Sequence, residues 1–167
     1  MRSAVIVSTA RTPIGRAYRG AFNNLPSPTR AGIDGAEVDD VIIGSALQQG
    51  HQAGNIARTS LLRAGLPVSV SGMSLDRQCA SGLMAIATAA KQIITDNMDI
   101  TVGGGVESIS LVQTPQMRVA ADPELIAMHK DVYMTMLGTA ETVAKRYNIS
   151  RYVCDEYALQ SQQRTAA

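Results

Sequence analysis

The sequence is poor in aromatic residues: it has no Trp, one Phe and five Tyr, and aromatics make up 4% of its 167 residues. Proteins that bind single-stranded nucleic acid stack bases on aromatic side chains, so this scarcity argues against such a role. The formal net charge of +1 supplies no strong basic field for nucleic acid or for an anionic membrane. We therefore expect neither a nucleic acid nor a membrane as a partner.

Residues that bind metals or form disulfides are also scarce. The two cysteines, Cys79 and Cys154, lie far apart, and with His51 and His129 they form no pattern that has metal-site spacing. A disulfide framework is typical of smaller chains that are rich in Cys. The apolar run at residues 4–7 is too short for a signal peptide or a membrane span. These absences predict a soluble, cytoplasmic protein with reduced thiols and no metal.

Short apolar runs alternate with helical patterns along the chain. The runs are rich in β-branched residues and predict buried strands at residues 4–7, 41–43, 68–75 and 100–102. Helices are predicted at residues 55–64, 80–95 and 140–147 and after Ser150, and the second of these is apolar on nearly every side, which is typical of a buried helix. This alternation predicts an α/β fold with a mostly parallel sheet.

Three segments depart from the alternation. Residues 108–138 contain two prolines and scattered Met, and are predicted to form a long loop outside the core. No helical pattern separates residues 4–7 from residues 41–43, although a parallel crossover normally contains a helix. We therefore expect residues to be missing between about Thr29 and Arg30, either left out of this chain or lost in a real deletion. The last helical pattern reaches Ala167 without a stop signal, which predicts that the natural chain continues.

Cys79 lies where a predicted strand ends, near Leu75, and a predicted helix begins, near Ala80. The positive end of the helix dipole favours a thiolate at this position. A thiolate attacks thioesters, and neighbouring backbone N–H groups can stabilise the oxyanion that forms. A buried structural cysteine is the alternative, and position alone leaves both interpretations open.

The run RQCASGLMAI, at residues 77–86, resembles the active-site segment of thiolases. Further stretches resemble the same family in the same order, and the resemblance covers nearly the whole chain. They are STARTPIG (8–15), VDDVIIGSALQQG (38–50), NIARTSLLRAGLPVSV (55–70), DITVGGGVESIS (99–110) and GTAETVAKRYNISR (138–151).

The resemblance implies a layered αβαβα fold made of two similar halves, of which this chain would be the N-terminal half, residues 1–167. It implies ping-pong transfer of acyl groups, with acyl-CoA and CoA as substrates and no covalently bound cofactor. Cys79 would be the nucleophile that carries the acyl thioester, with its backbone N–H in an oxyanion hole. Met136 would line the pantetheine tunnel, and residues 108–138 would serve substrate access and tetramer contacts. The protein would be a homodimer or homotetramer.

The family also needs a His on a Gly-His-Pro turn, a second Cys and an Asn, all in its C-terminal half. This sequence lacks that half, and neither His51 nor His129 lies in a Gly-His-Pro turn, so we expect the chain alone to lack turnover. Three alternatives stay open: a related condensing enzyme such as a ketoacyl synthase, a non-catalytic binding or dimerisation module, and a thiol redox switch at Cys79. The Ser-rich run that usually follows the cysteine of ketoacyl synthases is absent here, which favours a thiolase.

Other features favour structural roles. The run Gly103, Gly104 and Gly105 lacks a phosphate-loop pattern and is predicted to allow close packing near Cys79. Cys154 is predicted to be buried on one face of a helix. His51 and His129 are expected in loops or at the surface. The Met residues at positions 117, 128, 134 and 136 are as compatible with adaptable packing as with an acyl-chain pocket.

The position of Cys79 at a helix N-terminus predicts that it is the reactive thiol of the two. Iodoacetamide labelling of the full-length protein, followed by peptide mapping, should modify Cys79 before Cys154. Preferential labelling of Cys154 would contradict the assignment.

Overall fold

The computed structural model describes residues 2–12, 32–117 and 120–167. The chain divides into two compact units, Met1–Arg118 and Val119–Ala167. The gap predicted between Thr29 and Arg30 lies outside the described residues.

The described part of the first unit contains a sheet of three parallel strands: β1 (Asp40–Gly44), β2 (Ser71–Leu75) and β3 (Thr101–Gly105). Strand β1 lies in the middle, in the order β2-β1-β3. Its last residue, Gly44, is aligned with the last residues of both neighbours, so all three strands end at the same edge. The prediction of a parallel sheet is confirmed.

The predicted helices connect these strands. Helix α1 (Ile56–Arg63) follows β1, and helix α2 (Ser81–Thr95) follows β2. Asn55 begins α1 because its side chain accepts a hydrogen bond from the Arg58 N–H, at 3.1 Å. Gly65 comes just after the end of α1 with a φ of +86°, a conformation that suits glycine.

The core lies on both faces of β1. Val41 belongs to a buried cluster that includes Leu61 of α1, while Ile42 belongs to a second cluster with Ala85 of α2. Successive residues of a strand point to opposite faces, so α1 and α2 cover opposite sides of β1. Burying a side chain such as Ile42 contributes roughly 1.5–3 kcal/mol to stability.

Helix α2 is buried on one side only. Ser81, Ala85 and Ala89, spaced by one turn, face the sheet and are buried. Leu83, on the opposite side, is 72% exposed, and Ile86 is exposed as well. The helix itself is confirmed, but burial all round would need a second layer over its outer face.

The strand predicted at residues 4–7 is not formed. Ile6 is 77% exposed, and Val5 and Val7 are exposed too. Residues 4–7 pair with no strand of the described sheet. An apolar β-branched run becomes a strand only when a sheet edge supplies hydrogen-bond partners, so the pattern alone did not decide the structure.

Strand β3 extends through the glycines that were predicted to follow it. A Cβ atom on Gly103 would lie 2.8 Å from the Ile86 Cα, and one on Gly105 would lie 3.1 Å from the Gly82 Cα. The absence of side chains on these glycines therefore lets the backbone of α2 rest directly on the sheet. The prediction that the glycines allow close packing is confirmed.

The described residues in 108–117 and 120–138 contain more helix than the predicted loop. They contain α3 (Ile109–Val112) and a 3-10 turn (Pro115–Met117) in the first unit, and α4 (Pro123–Met128) in the second. Asp122 begins α4 by accepting from the Glu124 N–H at 2.9 Å, a capping signal within the run.

The second unit also contains α5 (Met136–Arg146) and α6 (Arg151–Ala166). Ser150 caps α6 as predicted, since its hydroxyl accepts from the Val153 N–H at 3.3 Å. Cys154 on α6 is exposed, so the prediction that it is buried is wrong. Its side of the helix carries apolar residues, but no described element covers them. Within the described ranges, no helix has the length and apolar character needed to cross a membrane.

Gly103→Ala should destabilise the protein by about 1–3 kcal/mol, because the new methyl group meets the α2 backbone. Gly104→Ala is the matched control, since its Cβ would be 3.9 Å from the end of the Ile43 side chain. The control should change stability by no more than about 0.5 kcal/mol. Urea unfolding midpoints measure both, and equal effects would contradict the close packing.

Asp39, directly before β1, links this strand to the segment that precedes β3. These residues lie where the strands begin, at the edge of the sheet opposite to the edge where the strands end. The Asp39 carboxylate accepts from the Ile100 N–H at 3.0 Å and from the Asp99 N–H at 2.8 Å. These backbone hydrogen bonds, that from Ile100 foremost, lower the pKa of Asp39 below its ordinary value of 3.8.

A carboxylate with a lowered pKa stabilises the folded state above its ordinary pKa, and that stabilisation is lost as the pH falls through the lowered value. The urea midpoint of the wild type should therefore fall more steeply below pH 3.8 than that of Asp39→Asn. Glu124→Gln, at an exposed position on α4, should follow the wild type. Parallel curves for the wild type and Asp39→Asn would refute this role.

Candidate active site

Cys79 lies in the turn between β2 and α2. It occupies the middle of a single 3-10 turn (Gln78–Ala80), and α2 begins two residues later at Ser81. The cysteine is exposed, so the alternative of a buried structural cysteine is wrong for this chain. Its thiol is therefore accessible to a ligand approaching the edge where the strands end.

The backbone before Cys79 bends sharply. Gln78 has a φ of +48°, in the left-handed region that residues other than glycine rarely adopt. This conformation costs on the order of 1–2 kcal/mol and persists only when neighbouring contacts hold it. The bend lets the chain leave β2 and enter α2 within a few residues, with Cys79 at the bend.

Side chains within the turn supply those contacts. The Asp76 carboxylate accepts from the Gln78 N–H at 2.6 Å. The Ser81 hydroxyl accepts from the Arg77 N–H at 2.9 Å and donates to the Gln78 carbonyl at 2.6 Å. Among the described residues, the N–H of Cys79 has no hydrogen-bond acceptor. The turn therefore presents a thiol and an available N–H donor on one residue.

The start of α2 is pressed against the end of β1. A Cβ on Gly44, the last residue of β1, would lie 2.2 Å from the Ser81 carbonyl carbon and oxygen. Only glycine at position 44 lets the two backbones approach this closely. The contact places the turn of Cys79 at the carboxyl edge of the parallel sheet, where α/β proteins commonly bind their ligands.

A polar cluster that sequence reasoning missed lies after β1 and β3. Gln52 and Ser45 are buried, and the Gln52 amide donates to the Ser45 hydroxyl at 3.0 Å and to Glu107 at 2.5 Å. Glu107 also accepts from the Ala46 N–H at 2.8 Å. These bonds join the segments that follow two neighbouring strands. The available signal was that Ser45 and Glu107 each come within two residues of a strand end.

The remaining sequence-predicted residues lie apart from this turn in the sequence. Met136 is the first residue of α5, in the second unit, and is 82% exposed. His51 and His129 are both exposed, as expected. No group of His, Cys, Asp and Glu within the described part of the chain could hold a metal ion.

The fold and this turn define an α/β protein that presents a cysteine at the carboxyl edge of a parallel sheet, directly before a helix. Residues 4–167 match the thiolase N-terminal domain. The chain belongs to the thiolase family and represents its N-terminal half.

Curated relatives of this chain are named as thiolases or as acetyltransferases. The chain is 39% identical to the 3-ketoacyl-CoA thiolase of Bacillus subtilis (strain 168), over 99% of this chain and 45% of the relative. It is 35% identical to the acetyl-CoA acetyltransferase of Paracoccus denitrificans, over 100% of this chain and 48% of the relative. The chain thus spans about half the length of these relatives.

A solved structure has a similar fold. The crystal structure of the Bacillus anthracis acetyl-CoA acetyltransferase superposes with a TM-score of 0.62 at 35% identity, covering 80% of this chain and 36% of that one. This likeness agrees with the layered α/β class expected from the sequence.

Proposed function

We propose that this chain is the N-terminal half of a CoA-dependent acyltransferase that forms or cleaves 3-oxoacyl-CoA through an acyl thioester on Cys79. One observation carries the proposal: Cys79 combines an exposed thiol with a backbone N–H that has no acceptor among the described residues. The family membership of the chain supplies the class of reaction, since its relatives are named as thiolases and acetyltransferases.

In the first half-reaction, the Cys79 thiolate attacks the carbonyl carbon of an acyl-CoA. A new carbon–sulfur bond forms, and the carbonyl oxygen becomes an oxyanion that accepts from the Cys79 N–H. Collapse of this intermediate breaks the bond to the CoA sulfur. CoA leaves as a thiolate and takes up the proton that Cys79 lost, so the step is balanced without an oxidant or a reductant.

In the second half-reaction, the methyl group of an acetyl-CoA loses a proton and its carbon attacks the acyl carbon on Cys79. The carbon–carbon bond forms as Cys79 leaves as a thiolate, giving 3-oxoacyl-CoA. The resemblance assigns the bases for both steps to the C-terminal half. We therefore propose that the 167-residue chain lacks turnover by itself.

Substrate binding and assembly complete the proposal. Met136 lines the path of the pantetheine arm, for which its exposed and flexible thioether is suited. The exposed apolar residues Leu83 and Val102 are covered in a homodimer or homotetramer or by the second half of the protein. No covalently bound cofactor is needed for the chemistry, and the protein acts in the cytoplasm.

Incubating the full-length protein with acetyl-CoA tests the proposed nucleophile. Mass spectrometry should find an acetyl group on the peptide that contains Cys79. Cys79→Ala should abolish this modification, because no other thiol occupies the turn, and should leave the fold intact because the change in volume is small.

The control is Cys154→Ala, which removes the other exposed thiol of the chain. It should be acetylated as fast as the wild type. Acetylation that persists in Cys79→Ala would overturn the assignment. A disulfide at Cys79 in place of an acyl group would favour the redox-switch alternative.

A further inference from the structure

Ser81 begins α2, but its hydroxyl does not cap the first turn of its own helix. It bonds backwards to the two residues that precede Cys79, Arg77 and Gln78. We propose that Ser81 is a positioning residue that orients the N–H of Cys79 for oxyanion binding. This inference rests on the function proposed above and adds a specific role for one further side chain.

The hydroxyl has a single proton to donate. Its oxygen lies 2.6 Å from the Gln78 carbonyl oxygen and 3.5 Å from the nearer Asp76 carboxylate oxygen. The hydroxyl donates its proton to the Gln78 carbonyl oxygen, because this contact is much shorter than the one to Asp76 and a hydrogen bond weakens with distance. The hydroxyl oxygen then accepts from the Arg77 N–H at 2.9 Å. One side chain thus holds groups on two successive residues of the turn.

The Gln78 carbonyl and the Cys79 N–H belong to the same peptide group. That group is planar and trans, as no cis peptide bond occurs in the described chain, so the N–H points away from the carbonyl. The carbonyl accepts from both the hydroxyl and the backbone N–H of Ser81. These two bonds hold the Gln78 carbonyl towards the start of α2. The Cys79 N–H therefore points in the opposite direction, away from α2.

The hydrogen bonds of the Ser81 hydroxyl are needed because Gln78 is held at a φ of +48°. Without support, this residue would relax towards a negative φ, and its rotation would turn the peptide plane that carries the Cys79 N–H. Ser81 is 4% exposed and its backbone lies against Gly44. The backbone of Ser81 is therefore held against β1, and the low exposure of the residue limits the access of water that could replace the bonds of its hydroxyl.

The test compares two reactions of Cys79 in the full-length protein. Acetylation by acetyl-CoA passes through an oxyanion and uses the Cys79 N–H. Alkylation by iodoacetamide displaces iodide at a carbon atom and forms no oxyanion. Ser81→Ala should slow acetylation by at least about tenfold, since a displaced oxyanion donor loses much of its effect. It should change the alkylation rate of Cys79 by less than about threefold, because no oxyanion is involved.

The matched control is Thr88→Val on the same helix. The Thr88 hydroxyl donates to the Met84 carbonyl at 2.8 Å, within α2 and away from the turn. Its removal should leave both rates at the wild-type level. Ser81→Thr keeps a hydroxyl at the position and should recover most of the acetylation rate. Circular dichroism confirms that each variant is folded before its two rates are compared, and the alkylation rate of Cys79 reports on the turn independently of oxyanion binding.

The outcomes separate the two proposals. Acetylation of Ser81→Ala at a rate within about threefold of the wild type would overturn the positioning role and leave the nucleophile assignment intact. Equal losses in acetylation and alkylation would also overturn it, because they indicate general disruption of the turn. Absence of acetylation at Cys79 in the wild type would refute the proposed function and this inference with it.

Discussion

The close contact between the backbone of α2 and the sheet determines the geometry of the candidate site. It depends on glycines at three points: Gly44 against Ser81, Gly103 against Ile86, and Gly105 against Gly82. At the first two, a Cβ atom would lie closer than 3.0 Å to helix backbone, so any other residue would push the helix away. The helix can therefore begin directly at the carboxyl edge of the sheet, and the turn before it is short and sharply bent.

The strain and the polar contacts of this turn follow from that packing. A short connection requires a left-handed residue, here Gln78, and the buried Ser81 hydroxyl compensates with two hydrogen bonds. The same packing leaves the outer side of α2 without a partner among the described residues. Leu83, on that side, is exposed, whereas Ser81, Ala85 and Ala89 are buried against the sheet.

Much of the local structure could be predicted from the sequence. The β-branched run at residues 41–43 forms β1, and Asn55 and Ser150 begin helices through ordinary side-chain caps. These signals act over a few residues, so they can be read without knowing the fold. The run at residues 4–7 carries the same signal as β1 but forms no strand, and Cys154 is exposed on a face that its spacing suggested was buried. Both outcomes depend on partners that a local pattern does not contain.

The sequence by itself determined the strand and helix positions around Cys79, the family, and Cys79 as the candidate nucleophile. Only the tertiary structure decided which groups support that cysteine. Ser45, Gln52 and Glu107 meet because β1 and β3 end side by side, and Gly44 meets Ser81 because α2 crosses back over β1. The physical reason is that these contacts join segments distant in the chain, and parallel pairing brings them to one edge of the sheet.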